Sequence, residues 1–387
     1  MQDPAALTRA GFQALQQGDA GGARARFLEA AASPEAGPDA WFGLSRAHRA
    51  LGSAAEEEAA LDRTLQLAPR HVPALIRKGD LYGARTDLRA AHSFYRAALK
   101  IAGGMRSPPP QWRAELERVH ALIRQSMQSL EQHLLGDLAR SGHSADTGRF
   151  AQSLELLLGR RQLYFQQPKI FYFPELPQVQ FYDRASFPWA QALERETPAI
   201  RAELLAVLQS GDGFAPYMQP GRDRPAFDNN GLLGDPAWSA CHLIRNGEPV
   251  PEAAQRCPLT LEALGRLPLC RIRGRTPTAL FSLLRAGAHI PPHNGYLNTR
   301  LICHLPLIVP GECALRVGNE TRAWREGELM IFDDSIEHEA WNRSAGQRII
   351  LLFDIWRPEL TELERAQVAA TLESIDRFGG PREQWTQ

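Results

Sequence analysis

Residues 289–307 read HIPPHNGYLNTRLICHLPL, and residues 329–356 read LMIFDDSIEHEAWNRSAGQRIILLFDIW. Both stretches contain short runs of β-branched and aromatic residues separated by Gly, Pro, Asn and Asp, a pattern typical of strands joined by turns. Extended to the rest of this region, the pattern predicts five strands, at 278–286, 300–309, 313–318, 329–334 and 347–356. Short strands at this spacing indicate a sandwich or barrel, such as a jelly roll.

Two histidines in these stretches, His293 and His338, are 45 residues apart. Each is expected at the end of a strand, because the first follows two prolines and the second follows the turn-like FDDSIE. Imidazole nitrogen is a common ligand of Fe(II). A buried arginine near such a metal is suited to bind the carboxylate of an organic co-substrate, and Arg300 and Arg348 follow the two histidines. The residues suggest an iron-dependent oxygenase.

The spacing of the charged residues predicts which of them face one cavity. Arg300 and His304 are four residues apart and share a face of an ideal strand, so the odd-numbered residues of 301–305 point into packing. Arg348 opens the apolar run IILLFDIW, so a strand can carry its guanidinium into the domain. His304 could instead bond only a backbone carbonyl, and each arginine could form a salt bridge with one of Asp333, Asp334 and Asp354.

The position of a third metal ligand is unusual. Non-haem iron oxygenases usually add a carboxylate two residues after the first histidine, and this chain has Gly295 there. Asp334 and Glu337 are the local carboxylates that could ligate a metal instead.

Composition bounds the class of protein. A length of 387 residues predicts two or three domains, and 44 Lys and Arg balance 44 Asp and Glu, so no basic field attracts nucleic acid. No apolar run reaches the roughly 18 residues of a membrane span, and MQDPAALTRAGFQAL does not read as a secretory signal. Five cysteines without a CxxC pair, Cys257 and Cys270 among them, are expected as free thiols. We expect a cytoplasmic protein that binds neither nucleic acid nor membrane.

The first hundred residues repeat with a period of 34. Small residues recur at Gly11, Ser45 and Gly79, and large apolar ones recur at Phe27, Leu61 and Tyr95. A helix–turn–helix period of this length resembles the tetratricopeptide repeat, although Glu57 and Thr64 stand where alanine is usual. Three units suffice for a stacked solenoid with a concave face. The region is expected either to bind a partner or to serve only in helical packing.

Changes in composition divide the chain into three expected parts. SPPPQW (107–112) ends the repeats, which occupy 1–106. A helical connector at 107–165 contains one long amphipathic helix. The aromatic and proline-rich stretch after Gln166 opens a β domain at 166–387, which also contains a helix at 188–210 and a closing helix.

The stretch from about 278 to 360 resembles the catalytic core of the aspartyl/asparaginyl β-hydroxylase family. The resemblance rests on the ordered motifs FSLL, PPHNG, NTRLICHLPL, VGNETRAWREGELMIFDDSIEHEAWN and RIILLFDIWRPEL. It implies a double-stranded β-helix (a jelly-roll or cupin-like fold) and an oxygenase that uses Fe(II), 2-oxoglutarate and O2. Animal members also carry tetratricopeptide-like helices before this domain. The resulting expectation is a multidomain α + β protein, with all-α repeats followed by the oxygenase domain.

The resemblance implies that His293 and His338 are the iron ligands. Members of the family lack the third protein ligand, so Gly295 is expected under this interpretation. In the resembled motif FDDS precedes the second histidine without ligating the metal. We therefore favour turn capping for Asp333 and Asp334.

The resemblance also implies a pocket for 2-oxoglutarate. Arg348 would bind its distal carboxylate, helped by the hydroxyl of Ser282. Arg300 and His304 would face the end of the co-substrate nearer the metal, and Trp238 would line the same pocket.

The implied reaction is hydroxylation at the β-carbon of an aspartyl or asparaginyl residue. The substrate would be a peptide or protein engaged by the repeats, or a free or carrier-bound amino acid, and 219–238 is expected to help form its mouth. Because Gly295 frees a ligand position, halogenation or hydroxylation of another small molecule is an alternative. A repeat scaffold carrying an inactive barrel is a third interpretation, which the intact histidines and arginines disfavour.

Overall fold

The structure, a computed structural model, describes residues 3–146, 148–211, 213–219 and 231–378. The chain divides into two compact units, Met1–Leu158 and Gly159–Gln387. The first is helical and the second is rich in β-sheet, the order that the sequence predicted.

The first unit consists of helices that pack in consecutive pairs, α1 on α2, α3 on α4 and α5 on α6, with α2 against α3 and α4 against α5 linking the pairs. Their bounds are α1 (Pro4–Gln16), α2 (Ala20–Ala31), α3 (Pro38–Ala50), α4 (Ala54–Leu67), α5 (Val72–Ala84), α6 (Leu88–Gly103), α7 (Arg113–Arg140) and α8 (Gly148–Leu157).

The 34-residue period reflects close approach of the paired helices. Phe27 is fully buried, and its ring lies so close to Gly11 and Gly43 that a Cβ at either glycine would come within 3 Å of it. Gly79 meets the ring of Tyr95 in the same way. Gly11 and Gly79, two of the recurring small residues, are therefore required by the aromatic rings that pack on them, because neither side can relax without separating the helices.

In its described residues, the second unit contains five further α-helices and twelve strands. The helices are α9 (Ala190–Arg195), α10 (Thr197–Ser210), α11 (Pro251–Arg256), α12 (Pro258–Gly265) and α13 (Glu362–Phe378). The strands are β1 (Phe181–Tyr182), β2 (Ala215–Pro216), β3 (Trp238–Arg245), β4 (Glu248–Pro249), β5 (Ala279–Leu284), β6 (His289–His293), β7 (Arg300–Ile308), β8 (Cys313–Val317), β9 (Glu320–Ala323), β10 (Met330–Phe332), β11 (His338–Asn342) and β12 (Arg348–Trp356).

These strands form two antiparallel sheets. The larger has the order β1-β10-β7-β12-β5-β3-β2, with β4 beside β3, and the smaller has the order β6-β11-β8-β9. One face of the larger sheet packs against α9–α12 in a core that includes Leu301, Leu305 and Leu351. The other face meets the smaller sheet in a second core that includes Ile302, Leu315 and Ile350. The candidate site lies between the two sheets.

A leading segment, defined here as residues 166–182, is attached to this unit by a buried polar network. Arg357 is fully buried and donates to Asp333 Oδ2 at 2.9 Å and to the hydroxyl of Tyr182 at 2.6 Å. Gln166 donates to the same Asp333 oxygen at 2.8 Å, and it accepts a bond from Asn298 at 2.9 Å. Because these partners satisfy one another in a dry interior, the segment is held as part of the fold.

The helix predicted at 188–210 is two helices separated at Glu196. Pro198 explains the break, since proline lacks an N–H and disfavours helical geometry in the residue before it. The closing helix begins after a reciprocal capping arrangement, in which Glu364 N donates to Thr361 Oγ1 at 3.3 Å and Thr361 N donates to the Glu364 carboxylate at 2.8 Å. Within the described ranges, no helix is long and apolar enough to cross a membrane.

Candidate active site

The two histidines singled out by the sequence lie directly opposite each other. His293 is the last residue of β6 and His338 is the first residue of β11, and the two are paired across these antiparallel strands. Their ring centroids are 4.1 Å apart. Two segments far apart in the chain thus bring both imidazoles to one point.

Backbone carbonyls fix the orientation of both rings. His293 Nδ1 lies 2.8 Å from the carbonyl oxygen of Pro291, and His338 Nδ1 lies 3.0 Å from that of Ile336. A carbonyl only accepts, so each Nδ1 carries the proton and each Nε2 keeps its lone pair. Burial lowers the pKa of both histidines, that of His338 well below its usual value. Both are therefore neutral at pH 7 and available as ligands.

Arg348 begins β12 and is buried in the wall of the cavity that the two histidines also line. One Nη donates to the carbonyl of Ser282 at 3.3 Å, and the guanidinium carbon lies 4.6 Å from the ring centroid of Trp324. Nε has no partner among the described residues. Burial lowers the pKa of Arg348 to about 9, so the charge persists at neutral pH. In the part of the chain that the structure describes, no carboxylate pairs with it.

Arg300 lines the same cavity but is neutralised. Its Nη1 donates to Asp354 at 2.9 Å and its Nη2 donates to Asp334 at 3.2 Å, and all three side chains are buried. Burial disfavours the charged guanidinium, but the two carboxylates outweigh burial and raise the pKa of Arg300. The sequence allowed a salt bridge for either arginine, and Arg300 is the one that forms it. The contact of Arg300 with a co-substrate stays a prediction.

The three other predicted site residues lie around Arg348. Trp238 Nε1 donates to Ser282 Oγ at 3.3 Å, on the neighbouring strands β3 and β5. The His304 ring lies 4.9 Å from that of Phe332, and its Nδ1 is buried without a partner among the described residues. Burial, followed by the charge of Arg348, lowers the pKa of His304 well below its usual value.

All seven predicted residues line one cavity of about 210 Å³. Its polar groups sit in a largely apolar wall formed by Ile290, Ile302, Leu315, Ile350 and Leu352. This combination of a few convergent polar groups with apolar walls is typical of a small-molecule site.

The space beside Gly295 is filled by Asp334. A Cβ at Gly295 would lie 2.0 Å from an Asp334 carboxylate oxygen, so no side chain fits there. Burial raises the pKa of Asp334 to about 6, against the charge of Arg300, and its Oδ1 has no partner among the described residues. No group of three or more His, Cys, Asp or Glu side chains within the described ranges is arranged to hold a metal ion.

The turn before His338 corrects one expectation. Asp333 caps the turn, accepting from Ser335 N at 3.0 Å and from the Ser335 hydroxyl at 2.5 Å, as predicted. Asp334 does not cap this turn, because its carboxylate accepts a hydrogen bond from Arg300 instead. Glu337 faces away from the histidines and accepts from Arg316 at 2.9 Å.

Sequence reasoning missed part of the cavity wall. Trp324 stacks on Arg348, Tyr217 stacks on Trp238 with ring centroids 4.1 Å apart, and Lys169 reaches the mouth. Trp324 stands inside a quoted motif, whereas nothing local marks the other two. Of the predicted mouth at 219–238, residues 220–230 lie outside the described part of the chain. All five cysteines are free and buried.

Comparison with known proteins shows which family this region is similar to. The family model described as "Aspartyl/Asparaginyl beta-hydroxylase" matches residues 194–358. The ornithine lipid ester-linked acyl 2-hydroxylase of Rhizobium tropici is 37% identical over 180 residues, 46% of this chain and 60% of that protein. The human aspartyl/asparaginyl β-hydroxylase is 37% identical over 184 residues, 46% of this chain and 22% of that protein.

These relatives are matched only in part, since the chain spans less than two thirds of either. Among solved structures, the Sgt2 tetratricopeptide-repeat domain from Aspergillus fumigatus covers 33% of this chain and 83% of its own, at 16% identity and a TM-score of 0.29. A score this low supports no conclusion about partners. The match at 194–358 contains the paired histidines and the cavity-lining Arg300 and Arg348. This part of the chain belongs to the aspartyl/asparaginyl β-hydroxylase family.

Proposed function

We propose that the β-rich unit is an Fe(II)- and 2-oxoglutarate-dependent oxygenase that hydroxylates the β-carbon of an aspartyl or asparaginyl residue in a peptide or protein. One observation carries the proposal: a single cavity is lined by two imidazoles whose Nδ1 atoms are bonded to carbonyls and by Arg348, a buried cation for which the described residues provide no counter-ion. A buried charge is costly unless it is paired. Such a cavity is suited to a metal and an anionic ligand together.

The strand order supports the double-stranded β-helix that the family likeness implies. From β5 to β12 the strands alternate between the two sheets except at the β8–β9 hairpin, since β5, β7, β10 and β12 belong to the larger sheet and β6, β8, β9 and β11 to the smaller. This alternation winds the chain around the cavity.

The donor set fits Fe(II). His293 and His338 offer two nitrogen ligands, each oriented by a carbonyl bonded to its Nδ1, a usual arrangement for metal-binding histidines. Gly295 contributes no side chain, which leaves the remaining positions to co-substrate, O2 and water. When bound, the iron supplies with these reactants the oxidising power to hydroxylate an unactivated carbon.

The polar end of the cavity fits 2-oxoglutarate, a dianion. We assign its distal carboxylate to Arg348, whose unpartnered Nε and planar fork suit a carboxylate. The Ser282 hydroxyl is held beside Arg348 by Trp238. His304 and Arg300 complete the side nearer the two histidines, where Arg300 acts together with its aspartates.

The chain's own contribution is binding, orientation and exclusion of water. Apolar side chains between the polar groups lower the local dielectric and so strengthen every charge contact in the cavity. Neutral histidines leave the positive charge to the metal and the arginines.

Two alternatives are weaker on structural grounds. Halogenation would need a chloride near Gly295, but the carboxylate of Asp334 fills that space and would repel a second anion. An inactive scaffold gives no reason to keep Arg348 buried and uncompensated. We assign the helical repeats to engagement of the peptide or protein substrate, and the cytoplasm remains our proposed location.

Anaerobic titration with Fe(II) and 2-oxoglutarate tests the proposal. We expect a visible metal-to-ligand charge-transfer band in the wild type and none in His338→Ala. His289→Ala is the matched control, because this exposed histidine of β6 pairs with Glu339 outside the cavity. A peptide and amino-acid library should then give products heavier by one oxygen. Absence of the band in the wild type, or an unchanged band in His338→Ala, would contradict the proposal.

A further inference from the structure

A lysine at the mouth of the cavity has no role in the proposed function. Lys169 N donates to the carbonyl of Gly295 at 3.0 Å, and the next two N–H groups donate to the carbonyl of Tyr296 at 3.0 and 3.2 Å. Gln167 N donates to the carbonyl of Ser335 at 2.7 Å. These bonds fix the backbone of Lys169 across the two loops that carry the metal-binding candidates.

The side chain of Lys169 faces the cavity. It lines the cavity together with His293 and His338, and its Nζ lies 5.5 Å from the ring centroid of Tyr296. Within the described ranges, no carboxylate forms an ion pair with Lys169.

The other cations of the cavity are already committed. Arg300 is held by Asp334 and Asp354, and Arg348 is the proposed partner of the co-substrate. The two positive charges of Fe(II) match the two negative charges of 2-oxoglutarate. With Asp334 and Asp354 ionised, the described charged side chains of this cluster carry a net charge of +1: three positive (Arg300, Arg348, Lys169) and two negative (Asp334, Asp354). A substrate that brings one carboxylate would neutralise it.

Resting on the proposed function, we propose that Lys169 binds a carboxylate of the primary substrate and makes the site select acids over the matching amides, aspartyl over asparaginyl peptides. The ammonium forms a charge-assisted hydrogen bond with a carboxylate, and a neutral amide does not form an equally strong one. A hydrogen bond to a charged group is stronger than one between neutral groups. Since Lys169 is exposed, solvent weakens this contact, and the preference in kcat/KM is expected to be about tenfold.

The experiment uses the full-length chain loaded with Fe(II) and 2-oxoglutarate, and a library of peptides and amino acids in acid and amide pairs. Product mass gives kcat and KM for each pair in the wild type, Lys169→Met, Lys169→Arg and Lys100→Met. Lys100 is an exposed lysine of α6 and serves as the matched control.

We expect the acid preference to disappear in Lys169→Met, mainly through a higher KM for acids, and to survive in Lys169→Arg and Lys100→Met. An unchanged ratio in Lys169→Met, a wild-type preference for amides, or a charge-transfer band without product from any pair would overturn the inference. The charge-transfer band distinguishes the two failures. If the wild type forms the band and the ratio is unchanged, only the role of Lys169 fails, whereas absence of the band removes the proposed function itself.

Discussion

Arg300 and Arg348 lie on neighbouring strands of one sheet and line the same cavity, yet their surroundings are opposite. Arg300 is 3% exposed and bonds two buried carboxylates, whereas Arg348 is 1% exposed and, among the described residues, bonds only a backbone carbonyl. Removing a charge from water costs several kcal/mol unless something compensates it. The first arginine is compensated within the fold, and the second is not.

A buried arginine can stabilise the fold or bind an anionic ligand, and burial alone does not distinguish these two roles. Acidic partners, which Arg300 has and Arg348 lacks among the described residues, do distinguish them. A guanidinium with its own carboxylates holds strands and turns together, here β7, β12 and the turn before His338. A guanidinium without them is destabilising until an anion arrives, so it is suited to bind one. The position of the acidic partners therefore says more about function than does the arginine itself.

The largest expected effect is on stability, at Arg300. Arg300→Met leaves Asp334 and Asp354 buried without a counter-charge, and we expect the free energy of unfolding to fall by about 3–5 kcal/mol. Urea denaturation measures the change. Arg325→Met is the control, since this side chain is 77% exposed and its replacement should change stability by less than about 0.5 kcal/mol. A fall of less than about 1 kcal/mol in the free energy of unfolding of Arg300→Met would contradict the distinction between the two arginines.

The next effect is on co-substrate binding, at Arg348. Arg348→Met removes the proposed partner of the distal carboxylate, and we expect the KM for 2-oxoglutarate to rise about 100-fold, with little change in iron affinity. Without co-substrate, the free energy of unfolding should stay constant or rise, because an uncompensated buried charge is removed. Denaturation and steady-state kinetics measure the two quantities. Equal losses of iron and co-substrate affinity, or destabilisation as large as that of Arg300→Met, would contradict the distinction.

The smallest effect is a pH dependence, at Asp334. Its pKa is about 6 in the folded chain against an ordinary 3.8, so the folded state binds the proton more tightly than the unfolded state. The contribution of this group to stability therefore falls as pH rises from about 4 through 6, by an amount on the order of 1 kcal/mol. Asp334→Asn should remove this decline.

Denaturation at pH 4.5 and pH 7 measures the decline as the difference between wild type and variant. Glu312→Gln, at an exposed position, is the control and should follow the wild type at both pH values. A wild-type stability that rises relative to Asp334→Asn over this interval would show that Arg300 holds the carboxylate ionised throughout.

The local part of the site could be predicted from the sequence because strands alternate with a period of two. Arg300, Ile302 and His304 line the cavity, while Leu301 and Cys303 pack against the helices, as the alternation along β7 requires. The five predicted strands also match β5, β7, β8, β10 and β12 closely.

Long-range pairing could not be predicted in this way. The sequence placed His293 and His338 at strand ends, but their direct pairing depends on the register of β6 against β11, which strands distant in sequence decide together. Lys169 reaches the mouth only through backbone bonds to residues more than 120 positions away. The roles of Asp333 and Asp334 likewise depend on which arginine, Arg357 or Arg300, lies nearer to each.

The leading segment limits how the chain can be shortened. Arg357 donates to the carbonyl of Pro177 at 2.7 Å as well as to Tyr182, and Lys169 is fixed by the loop after His293. A fragment that starts after residue 182 would expose the guanidinium of Arg357, which is otherwise fully buried. It would also lack Lys169, which lines the candidate cavity. Isolated versions of the β-rich unit should therefore begin before Gln166. If shorter versions fail to fold, the cause would be the loss of the leading segment rather than a need for the helical repeats.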